Sequence, residues 1–267
     1  MSAADVRLAA DAIARQRGDR HLLLFIDFDG TLCEFDPDPE AVHLIPERQL
    51  LLDRIAADAT VALVSGRRLS DVRSRCGLHA PVWYAGLHGL EIVGPGAAFE
   101  HPGIAQAASH LHSLSATIAA DLSRIPGAFL EDKGLSLVAH FRAAAPDDAA
   151  EAAGILMRHA KPHLDAGALR TMAGACMIEL LPNIEWHKGS AVDWIRDRVS
   201  AGHRDSWPLY IGDDITDEDG FRAVQGRGLS VAASSRAGGA DFAVDGPGEV
   251  EALLREIAAG LAVRSRR

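Results

Sequence analysis

Residues 21–32 read HLLLFIDFDGTL: five apolar residues in succession, two aspartates with one residue between them, then Gly30 and Thr31. A short unbroken apolar run bounded by Asp and Gly is the pattern of a strand covered on both faces, as in a parallel sheet. In open α/β sheets ligands bind beyond the carboxyl ends of the strands, so this reading sends Asp27 and Asp29 into a cleft while Gly30 lets the chain turn away. Taken alone, D-x-D is equally compatible with an ordinary strand closed by a polar turn. A calcium loop of the EF-hand kind needs further oxygen ligands and a closing Glu, and these do not follow.

Three later stretches supply company for the aspartates. A second apolar run at 61–65, VALVS, ends in Ser65 and is followed by Gly66 and Arg67; HKG at 187–189 offers the ammonium of Lys188 at a helix start; LYIGDDITDED at 209–219 carries Asp213, Asp214 and Asp217. Carboxylates, a hydroxyl and an ammonium thus arrive from three strand ends and one helix start. Five carboxylates in one place repel one another and would repel an anionic substrate. A hard divalent cation holds such a set together, and Mg²⁺ fits best because it takes oxygen ligands and keeps positions for water and phosphate. No G-x-x-x-x-G-K-[ST] and no complete G-x-G-x-x-G after a strand is present. Thr216 with Asp219 has the spacing of a capping box, so part of the acidic stretch is assigned to helix initiation.

The four stretches resemble, in order, the four motifs of the haloacid-dehalogenase-like (HAD) phosphohydrolases. That resemblance implies that Asp27 attacks phosphorus to give an aspartyl-phosphate, and that Asp29 protonates the leaving oxygen and then takes a proton from water. It implies that Ser65 and Lys188 bind the phosphoryl oxygens, helped by backbone N–H groups at Gly30 and Thr31. It implies Mg²⁺ held by the carboxylates of Asp27 and Asp213 and the main-chain carbonyl of Asp29, with Asp214 and Asp217 supporting these ligands from behind. Relatives that cleave carbon–halogen bonds or drive ion pumps lack an acid at the second position, so Asp29 favours phosphatase or phosphomutase chemistry.

With 267 residues and 48% hydrophobic content the chain can build a sizeable core, and a net charge of −10 disfavours nucleic acid or an anionic membrane as the main partner. Cys33, Cys76 and Cys176 form no C-x-x-C or paired framework, which points to reduced thiols in a cytoplasm. The first twenty residues lack the apolar core of a secretory signal, and no apolar run approaches bilayer length. The expectation is a soluble cytoplasmic monomer acting on a small molecule.

In order, the pattern predicts a helix over 3–17, a strand to Asp27, a Pro-rich loop, and a helix over 46–57 with Leu50, Leu51 and Ile55 on one face. A strand over 60–65 follows, then a helix opened by Ser70 and Asp71, and a strand over 81–85 leading to GLHGLEI, where His88 stands between Gly86 and Gly89. From 102 the pattern changes: helix 104–122, two β-runs about Lys133-Gly134, helix 146–164, and two β-runs about Ala173-Gly174. Sequential hairpins imply an antiparallel sheet with helices on one face. The chain then returns to β–α order with a helix over 187–199, strand 208–212, helix 216–224, strands 228–232 and 241–244 and helix 248–262; Arg264, Arg266 and Arg267 read as a solvated tail. The expected fold class is α/β: a HAD-like Rossmannoid core with a parallel sheet over 1–101 and 184–267, and an inserted α+β cap over 102–183, of the C2 type by the resemblance. Pro102-Gly103 and Pro182-Asn183 mark its hinges.

The core motifs do not choose the leaving group. In the insert, Glu131 and Lys133 lie on alternate positions, Arg142 is placed at the end of the next strand, and Glu179 at the end of the last one. Converging carboxylates and cations suit sugar hydroxyls, which need acceptors and donors at fixed positions, although composition alone reads the hairpin as solvated charge. The strings LEDKGLSLVAHFR and MIELLPNIEWHKGSAV, with SGRRLSDV and GLHGLEI, closely resemble the trehalose-6-phosphate phosphatases over about residues 22–250. The resemblance implies that Glu131, Lys133 and Glu179 grip the disaccharide of trehalose 6-phosphate, with Gly66, Arg67, His88, Arg142 and Asn183 as further contacts. Two alternatives stay open: a related phosphatase for sucrose phosphate or mannosyl-phosphoglycerate, and an inactive sugar-phosphate sensor, against which the intact Asp27, Asp29, Lys188 and Asp213 speak.

Overall fold

The computed structural model describes residues 3–36, 38–174, 176–202 and 205–264. The chain divides into two compact units, Met1–Glu100 with Trp186–Arg267, and His101–Glu185. The first unit begins with helix α1 (Ala3–Arg17), strand β1 (His21–Ile26), helix α2 (Pro46–Ala56), β2 (Thr60–Val64), α3 (Leu69–Cys76), β3 (Trp83–Gly86), β4 (Glu91–Gly94) and β5 (Ala97–Glu100). The second unit holds α4 (Ile104–Leu122), β6 (Phe129–Asp132), β7 (Leu137–His140), α5 (Pro146–Asp165), β8 (Leu169–Gly174) and β9 (Met177–Pro182). The first unit resumes with α6 (Lys188–Ser200), β10 (Ser206–Gly212), α7 (Glu218–Val224), β11 (Leu229–Ala232), β12 (Phe242–Ala243) and α8 (Gly246–Arg264).

Eight strands of the first unit form one sheet in the order β12-β11-β10-β1-β2-β3-β4-β5. Strands β12 to β3 are mutually parallel, whereas β4 and β5 add an antiparallel hairpin. The apolar run of β1 explains its central place, because alternate side chains enter opposite layers. Leu22, Leu24 and Ile26 join the core under α1, α2 and α8, while Leu23 and Phe25 join the core that includes Ala191, Val192 and Ile195 of α6 and Phe221 of α7. Ile26 stands opposite both Ile211 of β10 and Leu63 of β2. That register brings the chain segments after β1, β2 and β10 out at one edge of the sheet.

In the second unit the strands are antiparallel, in the order β6-β7-β9-β8. Leu137, Ala139 and Leu180 pack with Leu111, Ile118 and Leu122 of α4 and Ile155, Leu156 and Ala160 of α5, so both helices cover one face. The alternation puts Glu131, Val138, Glu179 and Met172 on the other face, and the pairings Glu131–Val138, Val138–Glu179 and Glu179–Met172 set them in one transverse row.

Several expectations need correction. Leu50 is 71% exposed; the buried stripe of α2 is Arg48, Leu51, Leu52 and Ile55, an i, i+3, i+4, i+7 set that leaves Leu50 on the outer side. The β4–β5 hairpin lay unrecognised in EIVGPGAAFE, whose runs are short and rich in Ala and Gly. Helix α3 starts at Leu69 with no side-chain cap, and Asp71 instead pairs with Arg67 and Arg75. Strand β8 continues through Gly174, past the expected turn. Of the expected basic tail, Arg264 ends α8, and Arg266 and Arg267 lie outside the described residues.

Candidate active site

Beyond the carboxyl end of β1, Asp27 is anchored by its N–H, which donates to the Ile211 carbonyl of β10 at 2.9 Å. The Lys188 ammonium, at the first turn of α6, donates to Asp27 Oδ1 at 2.6 Å and to Asp217 Oδ1 at 2.7 Å. Lys188 is delivered there by local structure: the His187 ring accepts from the Ser190 N–H at 3.2 Å to cap α6, and Trp186 Nε1 donates to the Gly89 carbonyl at 2.7 Å. Burial works against its charge, but Asp27 and Asp217 prevail and hold it protonated well above the usual lysine range. Burial pushes the Asp27 carboxyl well up, with Asp217 and Asp213 adding to the shift and Lys188 opposing it.

Asp217 is fully buried and takes four donors: Lys188 and the Tyr210 hydroxyl at 2.7 and 2.8 Å on Oδ1, and the N–H groups of Asp213 and Asp214 at 3.1 Å each on Oδ2. A side chain on Gly212 would collide with this carboxylate, its Cβ falling 2.3 Å from Asp217 Cγ, so glycine is what allows the strand end to close over it. The capping box lies here too, formed by Asp214 and Asp217 rather than by Thr216 and Asp219. The short 3₁₀ turn Ile215–Asp217 starts the segment before α7, which shifts the caps two residues earlier than expected.

Asp213 is 1% exposed and receives the Thr31 hydroxyl on Oδ1 at 3.2 Å and the Arg236 guanidinium on Oδ2. Gly30, at φ +81°, brings the loop after β1 so close that a Cβ there would lie 2.5 Å from Asp213 Oδ2. Asp29 turns its side chain elsewhere: Arg67 grips both its oxygens, Nη2 to Oδ1 at 2.7 Å and Nε to Oδ2 at 2.8 Å. Arg67 also donates to Asp71 at 3.1 Å, and its backbone N–H donates to the buried Ser65 hydroxyl at 3.1 Å. His88 is a left-handed residue, φ 58°, whose N–H donates to the Ser65 carbonyl at 2.9 Å. Ser65, Gly66, Arg67 and His88 therefore form one knot beyond β2 and β3.

Carboxylate oxygens of Asp27, Asp213 and Asp217 lie within 4.8 Å of one another, and this is the described three-carboxylate group able to hold a metal ion. Its oxygen-only donors suit Mg²⁺, and Asp27 Oδ2 accepts no hydrogen bond among the described residues, which leaves that oxygen open to an incoming group. Asp217, with all four of its donors in place, is built to orient Lys188 and the 213–214 backbone. The Asp29 carboxylate points to Arg67 and Asp214 caps its own turn, accepting from the Ile215 N–H at 2.8 Å.

In the second unit, Glu179 is mid-strand in β9 and buried, not at the strand end. Lys133 sits in the β6–β7 turn, its Nζ 3.9 Å from Glu131 Oε2, and Glu131 also meets His140 Nε2 at 2.8 Å. Arg142 lies two residues beyond β7 and is exposed. The Asn183 side-chain amide donates to the Gly167 carbonyl at 2.9 Å, tying the chain after β9 to the turn before β8. Sequence reasoning missed Tyr210, Arg236 and His140. The lone polar ring in LYIG was a signal for the first, the alternation of Ser136, Val138 and His140 in LSLVAH for the third; Arg236, in SSRAGG, carried none.

The profile of the trehalose-phosphatase family matches residues 25–243. A curated trehalose-phosphate phosphatase of Mycobacterium tuberculosis (strain ATCC 25618 / H37Rv) is 36% identical over 258 residues, covering 94% of this chain and 63% of the relative. One from Mycobacterium avium (strain 104) is 36% identical over 249 residues, covering 90% of this chain and 62% of the relative. The chain thus spans just over three-fifths of the length of the curated relatives it matches. Among solved structures, a trehalose-6-phosphate phosphatase related protein superposes with a TM-score of 0.74 at 23% identity, over 91% of this chain and 99% of that one. A haloacid dehalogenase-like hydrolase from Bacteroides thetaiotaomicron, at 14% identity and TM-score 0.59, covers 88% of this chain and 99% of its own, and shares the fold.

Proposed function

This chain belongs to the trehalose-phosphatase family, and from that premise we propose that it hydrolyses trehalose 6-phosphate to trehalose and phosphate, with Mg²⁺ and through a phosphoryl group carried on Asp27. The observation that carries the reading is the clustering of buried Asp27, Asp213 and Asp217 within 4.8 Å beyond the ends of β1 and β10, with one buried lysine held between Asp27 and Asp217. Such an arrangement has little structural merit by itself, because each buried charge costs several kcal/mol unless paired, about 3–5 kcal/mol being lost when one partner is removed. Its worth lies in preorganising charge for a phosphoryl group.

In this reading Asp27 Oδ2 attacks phosphorus in line while Lys188 holds Oδ1 and neutralises the incoming oxygens. The Ser65 hydroxyl and the N–H groups of Gly30 and Thr31 take the remaining phosphoryl oxygens. Asp27, Asp213 and the Asp29 carbonyl would hold Mg²⁺, which would supply charge neutralisation for the transferring group. Asp29 gives a proton to the leaving sugar oxygen and then takes one from the water that cleaves the aspartyl-phosphate. For this it must part from Arg67 and take up a proton from solvent before the first transfer, so release of the carboxylate by Arg67 is a step of the cycle. Glu131, Lys133 and Glu179 of the second unit read the sugar hydroxyls, with His140 steadying Glu131, and Arg142 and Asn183 as further contacts. A cytoplasmic monomer goes with this reading, the location resting on three free cysteines.

Phosphate release across a panel of sugar phosphates tests the proposal. Trehalose 6-phosphate is expected to give the highest kcat/KM and the activity to vanish in EDTA. Faster turnover of sucrose 6-phosphate or glucose 6-phosphate would overturn the substrate, and full activity in chelator would overturn the metal.

A further inference from the structure

Arg236 forms an ion pair that the chemistry just described does not use. Its guanidinium donates to Asp213 Oδ2, an oxygen of a carboxylate that is 1% exposed, while the arginine side chain itself is 51% exposed. The contact is built from the backbone outward. The Ala233 N–H donates to the Gly212 carbonyl at 2.8 Å, the Ser234 hydroxyl to the Asp213 carbonyl at 2.5 Å, and the Arg236 N–H to the Ser234 hydroxyl at 3.0 Å. The loop after β11 is thereby pinned to the end of β10, with its arginine aimed at Asp213. On its other side the guanidinium lies over the ring of Phe35, 4.6 Å from the centroid. Phe35 is 62% exposed, costly for a phenylalanine with no partner, and the stacked arginine gives it one.

We propose that Arg236 is a built-in counter-ion that holds Asp213 in the metal-free protein and must leave it when a divalent cation binds. The proposal rests on the metal reading of the site. Asp213 has two oxygens: Thr31 takes one, and Arg236 the other. Thr31 is neutral and its hydroxyl can coexist with a cation nearby, whereas a guanidinium and a divalent ion on the same carboxylate oxygen repel. Being half exposed and stacked on Phe35, Arg236 can swing into solvent along the ring without unpacking the core. The device has two consequences of opposite sign. Removing the arginine leaves a buried carboxylate unpaired, which destabilises the metal-free protein. The same change removes the competitor, which strengthens the bound state.

The test compares the wild type with Arg236→Gln and Phe35→Leu, after stripping in EDTA. Direct titration with Mn²⁺, followed by electron paramagnetic resonance of the free ion, gives the dissociation constant without reference to turnover, and Asp213→Asn identifies the site. Arg236→Gln is expected to bind Mn²⁺ on the order of tenfold more tightly than wild type, and to melt about 2–4 °C lower in chelator. Phe35→Leu keeps the charge but removes its platform, and is expected to move binding in the same direction by less. Equal or weaker Mn²⁺ binding by Arg236→Gln would overturn the counter-ion role while leaving the metal reading intact. If the wild type bound no Mn²⁺ that Asp213→Asn loses, the metal reading would fall, and this proposal with it.

Discussion

The two units treat a lysine beside carboxylates in opposite ways. In the parallel-sheet unit, Lys188 is 3% exposed and held at 2.6 and 2.7 Å by two carboxylates that are themselves buried. In the antiparallel insert, Lys133 is 43% exposed and stands 3.9 Å from a Glu131 that is 40% exposed. The first geometry is complete before any ligand arrives; water and salt weaken the second, and a ligand has room to reorganise it. The contrast fits the proposed division of labour. Fixed charge suits bond-making, where reorganisation raises the barrier, and adaptable charge suits recognition of a polyhydroxylated substrate.

Substitutions can break this contrast. The largest expected effect is from Asp27→Asn, which removes the attacking oxygen and is expected to lower kcat on the order of 10⁴-fold or more on every substrate. A loss confined to the sugar phosphate would move Asp27 from chemistry to recognition. Next is Asp217→Asn, which cannot accept from all four of its present donors. It is expected to cost about 3–5 kcal/mol in urea unfolding and to lower turnover of all substrates alike. Unchanged stability would mean that Lys188 is not held in place by its buried partner.

In the insert the effect is expected to be selective. Lys133→Ala or Glu179→Ala should lower kcat/KM for trehalose 6-phosphate on the order of a hundredfold, about 2.7 kcal/mol, while para-nitrophenyl phosphate, which offers no sugar hydroxyls, keeps a near wild-type rate. Equal losses on both substrates would assign these side chains to the fold. The smallest effects sharpen the same contrast in stability. Tyr210→Phe removes a buried hydrogen bond to Asp217 and should cost about 1–2 kcal/mol, whereas Lys161→Ala in the insert, breaking an exposed pair with Asp165, should stay within about 0.5 kcal/mol.

The same division governs what could be read in the sequence. Strands β1, β2 and β10 were legible because burial on both faces demands unbroken apolar runs, and the polar residues that follow them stand out. The first helix of the insert was legible as a long Ala-rich stretch. What escaped depends on contacts between distant segments. Leu50 and Leu52 are equivalent in hydropathy, and the packing of α2 on β2 and α8 makes one of them core. Tyr210 reads as strand filling until Asp217 is placed under its hydroxyl at 2.8 Å. The Arg67 clamp on Asp29 joins segments 38 positions apart, and no motif encodes a pairing between two groups each expected to meet substrate. Arg236 lies 23 positions from Asp213, in a loop with no apolar pattern to fix its course.

The most direct test of the central claim is the identity of the group that carries phosphorus during turnover. Wild-type protein mixed with trehalose 6-phosphate and Mg²⁺, quenched in acid within one turnover and digested, is expected to yield a peptide with a phosphoryl group on Asp27 by tandem mass spectrometry, absent from Asp27→Asn. A phosphoryl group on Asp29, or turnover with no modified aspartate at any quench time, would contradict the account.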